Sequence, residues 1–457
     1  MAEQVCDDRP LVFDDLVADM ARGCKPKSAW RIGSEHEKFV LDAATHRSVP
    51  YEGDHGIRAL LTGLKRFGWS DILERTPAGG ETLIGVSRGD ASVSLEPGGQ
   101  FELSGAQLSD IHQICAEIGQ HLTEAKSVAA ELGLSFLGLG FTPDWRRDQT
   151  AVMPKGRYKI MSAYMPKVGG KGLDMMFRTC TVQANLDFSS EADMAAKMRL
   201  ALALQPLATA LFANSPFVEG KPTGWLSSRA RVWTDTDPAR TGMLDFVFRE
   251  GFGFADYARW ALDAPMYFVK RDGLYVDVSG QSFRAFMKGE LPALPGERPT
   301  RKDWRDHLNT LFPEVRLQTY LEMRGADTGP PDRLCALAAF WVGLLYDDAA
   351  LAAAWDLCKA WPAEDHERLR TDAARLGLKA RIGGRTLQAL AKDILAIARE
   401  GLKRRGRVGP SFTDESPFLG SLDEIADSGL TPAERWLDLY HGAWGGDLAP
   451  LYAAAAY

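Results

Sequence analysis

The sequence has no C-x-x-C pair and no H-E-x-x-H, and its six cysteines (Cys6, Cys24, Cys115, Cys180, Cys335, Cys358) are scattered along 457 residues. That excludes a zinc ribbon and a thioredoxin-type motif and predicts reduced, unpaired thiols. A basic excess is missing too. Lys plus Arg is 54 against 61 Asp plus Glu, a net charge of −7, which argues against a generic nucleic-acid surface. It leaves room for a small polyanion, which needs only a few local cations. No apolar run approaches the about 20 residues of a spanning helix. The longest, Leu200–Ala213 and Leu334–Tyr346, predict buried core helices, the first interrupted by Gln205 and Pro206. Met1–Pro10 carries Glu3, Asp7 and Asp8 and no apolar signal core, so the expected location is cytoplasmic, with no membrane partner. Gly169-Gly170-Lys171-Gly172 lacks the P-loop frame, and Gly138-x-Gly140 lacks the third glycine of a dinucleotide fingerprint.

What is present is material for a large core: 45% hydrophobic and 25% charged residues, typical of a globular chain. Helices are expected over 111–132, 191–212, 350–361 and 387–401, with Ser189 or Ser190 as the cap of the second. Thr431-Pro432-Ala433-Glu434 forms a capping box. A short apolar strand is expected over 134–141. Strands mixed with helices, without regular βαβ alternation, predict an α+β fold. The expectation is one domain over 1–457, with a predominantly helical part over 332–457.

Four segments alternate with period 2 and gather polar groups on one side. In 32–41, Glu35 and Glu37 share a face. In 100–104, Gln100, Glu102 and Ser104 do, with Glu96 just upstream. In 179–188 the polar set is Thr179, Thr181, Gln183, Asn185 and Asp187, and in 320–324 it is Tyr320, Glu322 and Arg324. Any one of these suits a half-buried antiparallel strand facing water. Together they group carboxylates, which repel unless cations intervene or one stays protonated. Mg²⁺ answers that problem with oxygen ligands and substrate phosphates, and Arg324 beside Glu322 suits phosphate. The prediction is a sheet holding Mg²⁺ and a nucleotide on one face. Lys155 and Arg157 in Met153–Tyr158, and Arg229, Arg231 and Arg240 in Leu226–Gly242, are the candidate cations from flanking loops. The run Lys403, Arg404, Arg405, Arg407 is expected to be structural, at a helix end.

Gly33-Ser34-Glu35-His36-Glu37-Lys38-Phe39 and Leu95-Glu96-Pro97-Gly98-Gly99-Gln100-Phe101-Glu102-Leu103-Ser104-Gly105 resemble the plant-type glutamate–cysteine ligases. So do the runs 153–158, 164–168, 173–177, 227–243 and 320–327, and the likeness extends from about residue 25 to the region of Trp436 and Trp444. The resemblance implies a glutamine synthetase-like fold: a curved, mainly antiparallel sheet backed by helices, with Mg²⁺ and ATP on its concave face. It implies ATP-dependent joining of glutamate to cysteine through a γ-glutamyl phosphate, the first step of glutathione synthesis, in a bacterial member. By position, Glu35, Glu37, Glu96, Glu102 and Glu322 match the family's metal sites. Arg324 and Arg157 would neutralise phosphate. Gln183, Asn185 and Lys155 would contact substrate, and Arg229 a glutamate carboxylate.

The plant family's two clip cysteines correspond to Val278 and Ala293, so that disulfide and a redox switch built on it are not expected. Cys115 and Cys180 are expected to be buried, inert thiols. The resemblance allows a homodimer. Two other readings stand beside it: the same glutamyl phosphate with a different amine acceptor, and a catalytically silent metal–nucleotide binder, which would tolerate losses among these glutamates and arginines.

Overall fold

The computed structural model describes residues 9–457. Its frame is a nine-stranded sheet. The strands are β1 (Ile32–Asp42), β2 (Ser70–Arg75), β3 (Glu81–Arg88), β4 (Ala91–Leu95), β5 (Phe101–Ser104), β6 (Leu134–Leu137), β7 (Thr181–Leu186), β10 (Val315–Leu317) and β11 (Leu321–Asp327); a separate hairpin comprises β8 (Phe268–Arg271) and β9 (Leu274–Asp277). The order across the sheet is β10-β11-β7-β1-β5-β4-β3-β2, with β6 paired to the far end of β1. Every pairing within this sheet is antiparallel. The expected α+β class, a mainly antiparallel sheet backed by helices, holds. The expected strand over 134–141 stops at Leu137, because Gly138 and Gly140 follow, each pressed against a neighbouring side chain.

Alternation along β1 divides the molecule. Ile32, Ser34, His36, Lys38 and Val40 are buried on one side, while Gly33, Glu35 and Glu37 face the other. The buried side is covered by α1 (Ile111–Glu131), α3 (Glu191–Leu211) and α5 (Pro331–Leu345), whose Ile114, Ile118, Met198, Leu202 and Leu337 join Ile32, Val182, Ala184 and Leu321 in one apolar core. Each fully buried Leu or Ile contributes about 1.5–3 kcal/mol, so the sheet's orientation is fixed by this face. Asp110 and Ser190 cap α1 and α3 through their side chains, as Thr431 caps the helix Pro432–His441. α6 (Leu387–Arg405) packs against α5 in the helical C-terminal part, and its terminal cations are spent on Glu400, Asp347 and Glu415. Among the described residues no single helix is long and apolar enough to cross a membrane.

The cysteines depart from expectation. Cys115 on α1 and Cys335 on α5 form a disulfide, with Cα atoms 5.6 Å apart and 220 residues between them. Only the packing of α1 against α5 brings them together, which spacing along the chain does not reveal. Cys24, Cys180 and Cys358 are free. Burial pushes the Cys180 thiol well above its ordinary value, as expected for an inert core thiol. Cys6 lies outside the described residues. A link closing so long a loop restricts the unfolded chain and contributes about 2–4 kcal/mol. Peptide mapping without reductant is expected to recover a joined Cys115–Cys335 pair, and Cys335→Ser to lower the unfolding midpoint. Absence of the joined pair from protein purified without reductant contradicts the link.

Candidate active site

The polar face of the sheet carries the predicted residues on four adjacent strands. Glu37 on β1 stands directly opposite Glu102 on β5, and Glu35 lies between Ser104 of β5 and Gln183 of β7. Like charges directly opposite each other destabilise a strand pair, and the titration of these groups reports it. Burial, then Glu35, raises the Glu102 carboxyl to about 7. Burial, then Glu102 and Glu96, pushes Glu37 well above the ordinary value, and Glu96 is also raised, by burial and by Glu102. Glu35 is raised by burial and by Glu322, while accepting from Asn185 Nδ2 at 2.7 Å and Gln183 Nε2 at 3.3 Å. Glu37 accepts from the Thr181 amide at 2.8 Å.

Glu96 enters this group because Glu96-Pro97-Gly98-Gly99 is a tight turn. Gly99 sits at φ +83°, and a Cβ on Gly98 would stand 2.3 Å from the Phe177 carbonyl oxygen. Gln100, at the edge of the cavity these acids line, locks the turn by donating to the Met176 and Thr179 carbonyls. The segment Met153–Tyr158 docks over it, starting α2 (Gly156–Tyr164) where Glu74 accepts from the Gly156 amide at 2.7 Å. Arg157 thereby reaches Glu96 at 3.5 Å. Lys155 does not join it in the cavity wall: its ammonium donates to the Leu95 carbonyl at 2.6 Å. Burial and Arg157 bring that ammonium down to about 8.

Glu322 behaves differently from the other acids. It is 1% exposed, and its oxygens accept from Arg316 Nε at 2.5 Å, Gln318 Nε2 at 2.9 Å and Arg324 Nη1 at 3.1 Å. Burial alone would raise it; Arg316 and Arg324 outweigh that and hold it below the ordinary value. Arg324 also donates to Gln183 Oε1 at 2.7 Å. Arg316, absent from the predicted set, stands opposite Glu322 in the β10–β11 register. The alternation Val315-Arg316-Leu317 just before β11 is the sequence signal that marks it.

Arg229 sits on the short helix α4 (Ser228–Trp233), 3% exposed. It donates to the Arg324 carbonyl at 2.8 Å, its Nε has no hydrogen-bond partner, and among the described residues it makes no ion pair. Arg240, from the same loop region, is consumed by Asp237 at 2.6 Å and is fully buried, so it is not a phosphate ligand. Arg231 lies beside the Trp225 ring.

These elements enclose a cavity of about 400 Å³. Glu35, Glu37, Glu96, Glu102, Gln183, Arg157, Arg229, Arg316 and Arg324 form its polar wall; Glu322, Asn185 and Lys155 stand behind it. Met175, Met176, Trp233, Phe268, Tyr275 and Phe312 add an apolar portion that the sequence does not reveal, and Lys270, Lys302 and Asp306 also reach the cavity. Acids crowded together with guanidinium groups around them suit a phosphorylated substrate delivered with a cation.

Comparison with known proteins identifies the family. The profile of glutamate–cysteine ligase family 2 (GCS2) matches residues 31–454. The chain is 54% identical over 449 residues to the chloroplastic glutamate–cysteine ligase of Nicotiana tabacum, covering 98% of this chain and 83% of that protein. Its likeness to the corresponding Arabidopsis thaliana enzyme is 54% over 456 residues, 100% of this chain and 85% of that one. The fold is similar to the crystal structure of a glutamate–cysteine ligase from Francisella tularensis in complex with AMP, at a TM-score of 0.54 and 12% identity, covering 93% of this chain and 88% of that one. With acids and arginines gathered in one cavity and the family profile spanning nearly the whole chain, the protein belongs to glutamate–cysteine ligase family 2.

Proposed function

We propose that this ligase joins the γ-carboxylate of glutamate to the amine of cysteine at the expense of ATP, in the cavity above β1, β5, β7 and β11. The family assignment supports the reaction class. The observation that carries the site is the facing of Glu37 and Glu102 beneath a set of guanidinium groups. The related enzyme solved with AMP supports a nucleotide as co-substrate.

Arg229, with an unpartnered Nε and no ion pair among the described residues, is the group to receive a glutamate carboxylate. Arg324 and Arg157 flank the acids and would neutralise phosphoryl oxygens as charge shifts in the transfer. The chain needs no nucleophile of its own: the glutamate γ-carboxylate attacks the terminal phosphorus as the bond to ADP breaks, and the amine then displaces phosphate from the acyl phosphate and gives up a proton. The protein's contribution is to hold the reactants together and keep water from the activated carboxylate.

Mg²⁺ fits the donor set. The four glutamates of the wall (Glu35, Glu37, Glu96, Glu102) supply oxygen only, and all are raised by crowding and burial, which a cation would relieve. Among the described residues no three His, Cys, Asp or Glu side chains close around a ready-made metal position; Mg²⁺ typically takes one or two carboxylates and completes its shell with phosphate and water. When bound, the ion supplies positive charge to the phosphoryl group being transferred. We assign Glu322, already paired with Arg316 and Arg324, the task of anchoring those arginines.

Phosphate release from ATP with glutamate and single amines tests the reaction. Strong turnover is expected with cysteine and little with alanine, glycine or ammonia; equal rates across the amines contradict cysteine as the acceptor. A second prediction concerns pH. Glu102 binds its proton more tightly folded, at about 7, than at the ordinary 4.5. The bound proton therefore stabilises the fold fully below about 4.5, and that contribution is lost as pH rises through about 7. The rise in unfolding midpoint on adding Mg²⁺ is expected to grow between about pH 5 and pH 8. A Mg²⁺ effect of equal size across that window contradicts the carboxylate site.

A further inference from the structure

We propose that Asp327 is a positioning residue for ligation: through the hydroxyls of Ser215 and Ser227 it fixes the short helix that presents Arg229 to glutamate. The proposal rests on the reading of Arg229 as the partner of a glutamate carboxylate.

Asp327 ends β11, and its direction is set by a bulge. Met323 pairs with Ala184 and Ala326 with Val182, so β11 spends three steps where β7 spends two. The extra residue returns Ala326 to the core and turns Asp327 to the side that carries Glu322 and Arg324. There its carboxylate is 1% exposed. It accepts from Ser215 Oγ at 2.7 Å, from the Asn214 amide at 2.9 Å and from Ser227 Oγ at 2.8 Å. It makes no ion pair among the described residues, and the chain leaves room for it: a Cβ on Gly140 would stand 2.2 Å from its Cγ.

Each hydroxyl has one proton, and both are given to Asp327. Their lone pairs are thereby free to accept. Ser227 Oγ accepts from the Ala230 amide at 2.9 Å as the cap of α4, and Ser215 Oγ accepts from the Arg229 amide at 3.3 Å. The carboxylate thus sets the direction of the two hydroxyl hydrogen bonds, from the Arg229 and Ala230 amides, that hold the first turn of the Arg229 helix. An amide at position 327 cannot reproduce this. Its NH₂ would face a hydroxyl that donates there, and a serine that turned to accept from it would leave its own proton without the acceptor it now has.

A simply structural aspartate would, when changed, lower the amount of active enzyme and leave the affinity of that enzyme alone. The positioning role moves one Michaelis constant selectively. In steady-state kinetics of the full-length enzyme with Mg²⁺ and ATP, Asp327→Asn and Ser227→Ala are each expected to raise KM for glutamate about tenfold, with KM for ATP unchanged. Ser227→Thr, which keeps the hydroxyl, is expected to restore the wild-type value. Arg229→Lys serves as reference. If it raises KM for glutamate while Ser227→Ala and Asp327→Asn do not, or if those two lower only kcat or raise KM for ATP instead, the positioning role is overturned. If Arg229→Lys leaves KM for glutamate at its wild-type value, the reading of Arg229 itself fails. Should Asp327→Asn not fold, the Ser227 pair decides the matter alone.

Discussion

Two carboxylates facing each other across neighbouring strands, Glu37 and Glu102, are the constraint on which the site is built. In a protein without a use for them, such a pair costs stability through mutual repulsion and burial. Here the acids Glu35 and Glu96 add to the same charge, and the raised carboxyls of all four record the cost. The scaffold offsets it from behind: the opposite face of the same strands is locked into an apolar core by three helices. A sheet whose orientation is so firmly decided can hold groups on its other face that repel each other. The arginines are then arranged around the acids, not among them. Only Glu322 is neutralised outright, by Arg316 and Arg324, and that pairing keeps two cations in place beside the acids.

The period of two along each strand accounts for what was legible in the sequence. Glu35, Glu37, Glu102, Gln183 and Arg324 could be put on one face because a strand admits no other arrangement, and the cavity wall contains all of them. The same alternation separates the acids from their immediate neighbours. His36 and Lys38, interleaved with Glu35 and Glu37, are fully buried on the core side, so the Glu-His-Glu-Lys run is not a four-residue site. Loops were less transparent. Lys155, Arg157, Arg229 and Arg240 look equivalent along the chain, yet Arg157 and Arg229 line the cavity while Lys155 and Arg240 are taken up by a backbone carbonyl and by Asp237. Their directions depend on tertiary docking, which has no period.

What escaped the sequence altogether depends on contacts between distant segments. The apolar wall of Trp233, Phe268, Tyr275 and Phe312 is assembled from separate pieces of chain. Cys115 and Cys335 meet only because α1 and α5 pack together. Asp327 would point into the core if β11 were regular, and only the bulge turns it toward Arg229.

On the proposed function, the facing carboxylates tolerate a nucleotide only when it arrives with a divalent cation. Calorimetric affinity for a non-hydrolysable ATP analogue, with Mg²⁺ and with chelator, tests it directly in the wild type and in Glu37→Gln and Glu102→Gln. Tight binding by the wild type is expected only with Mg²⁺. Each Gln variant should show weakened Mg²⁺-dependent binding and improved binding in chelator, since one repelling charge is gone. Equal wild-type affinity with and without Mg²⁺, or variants that bind as the wild type does in both conditions, would contradict it.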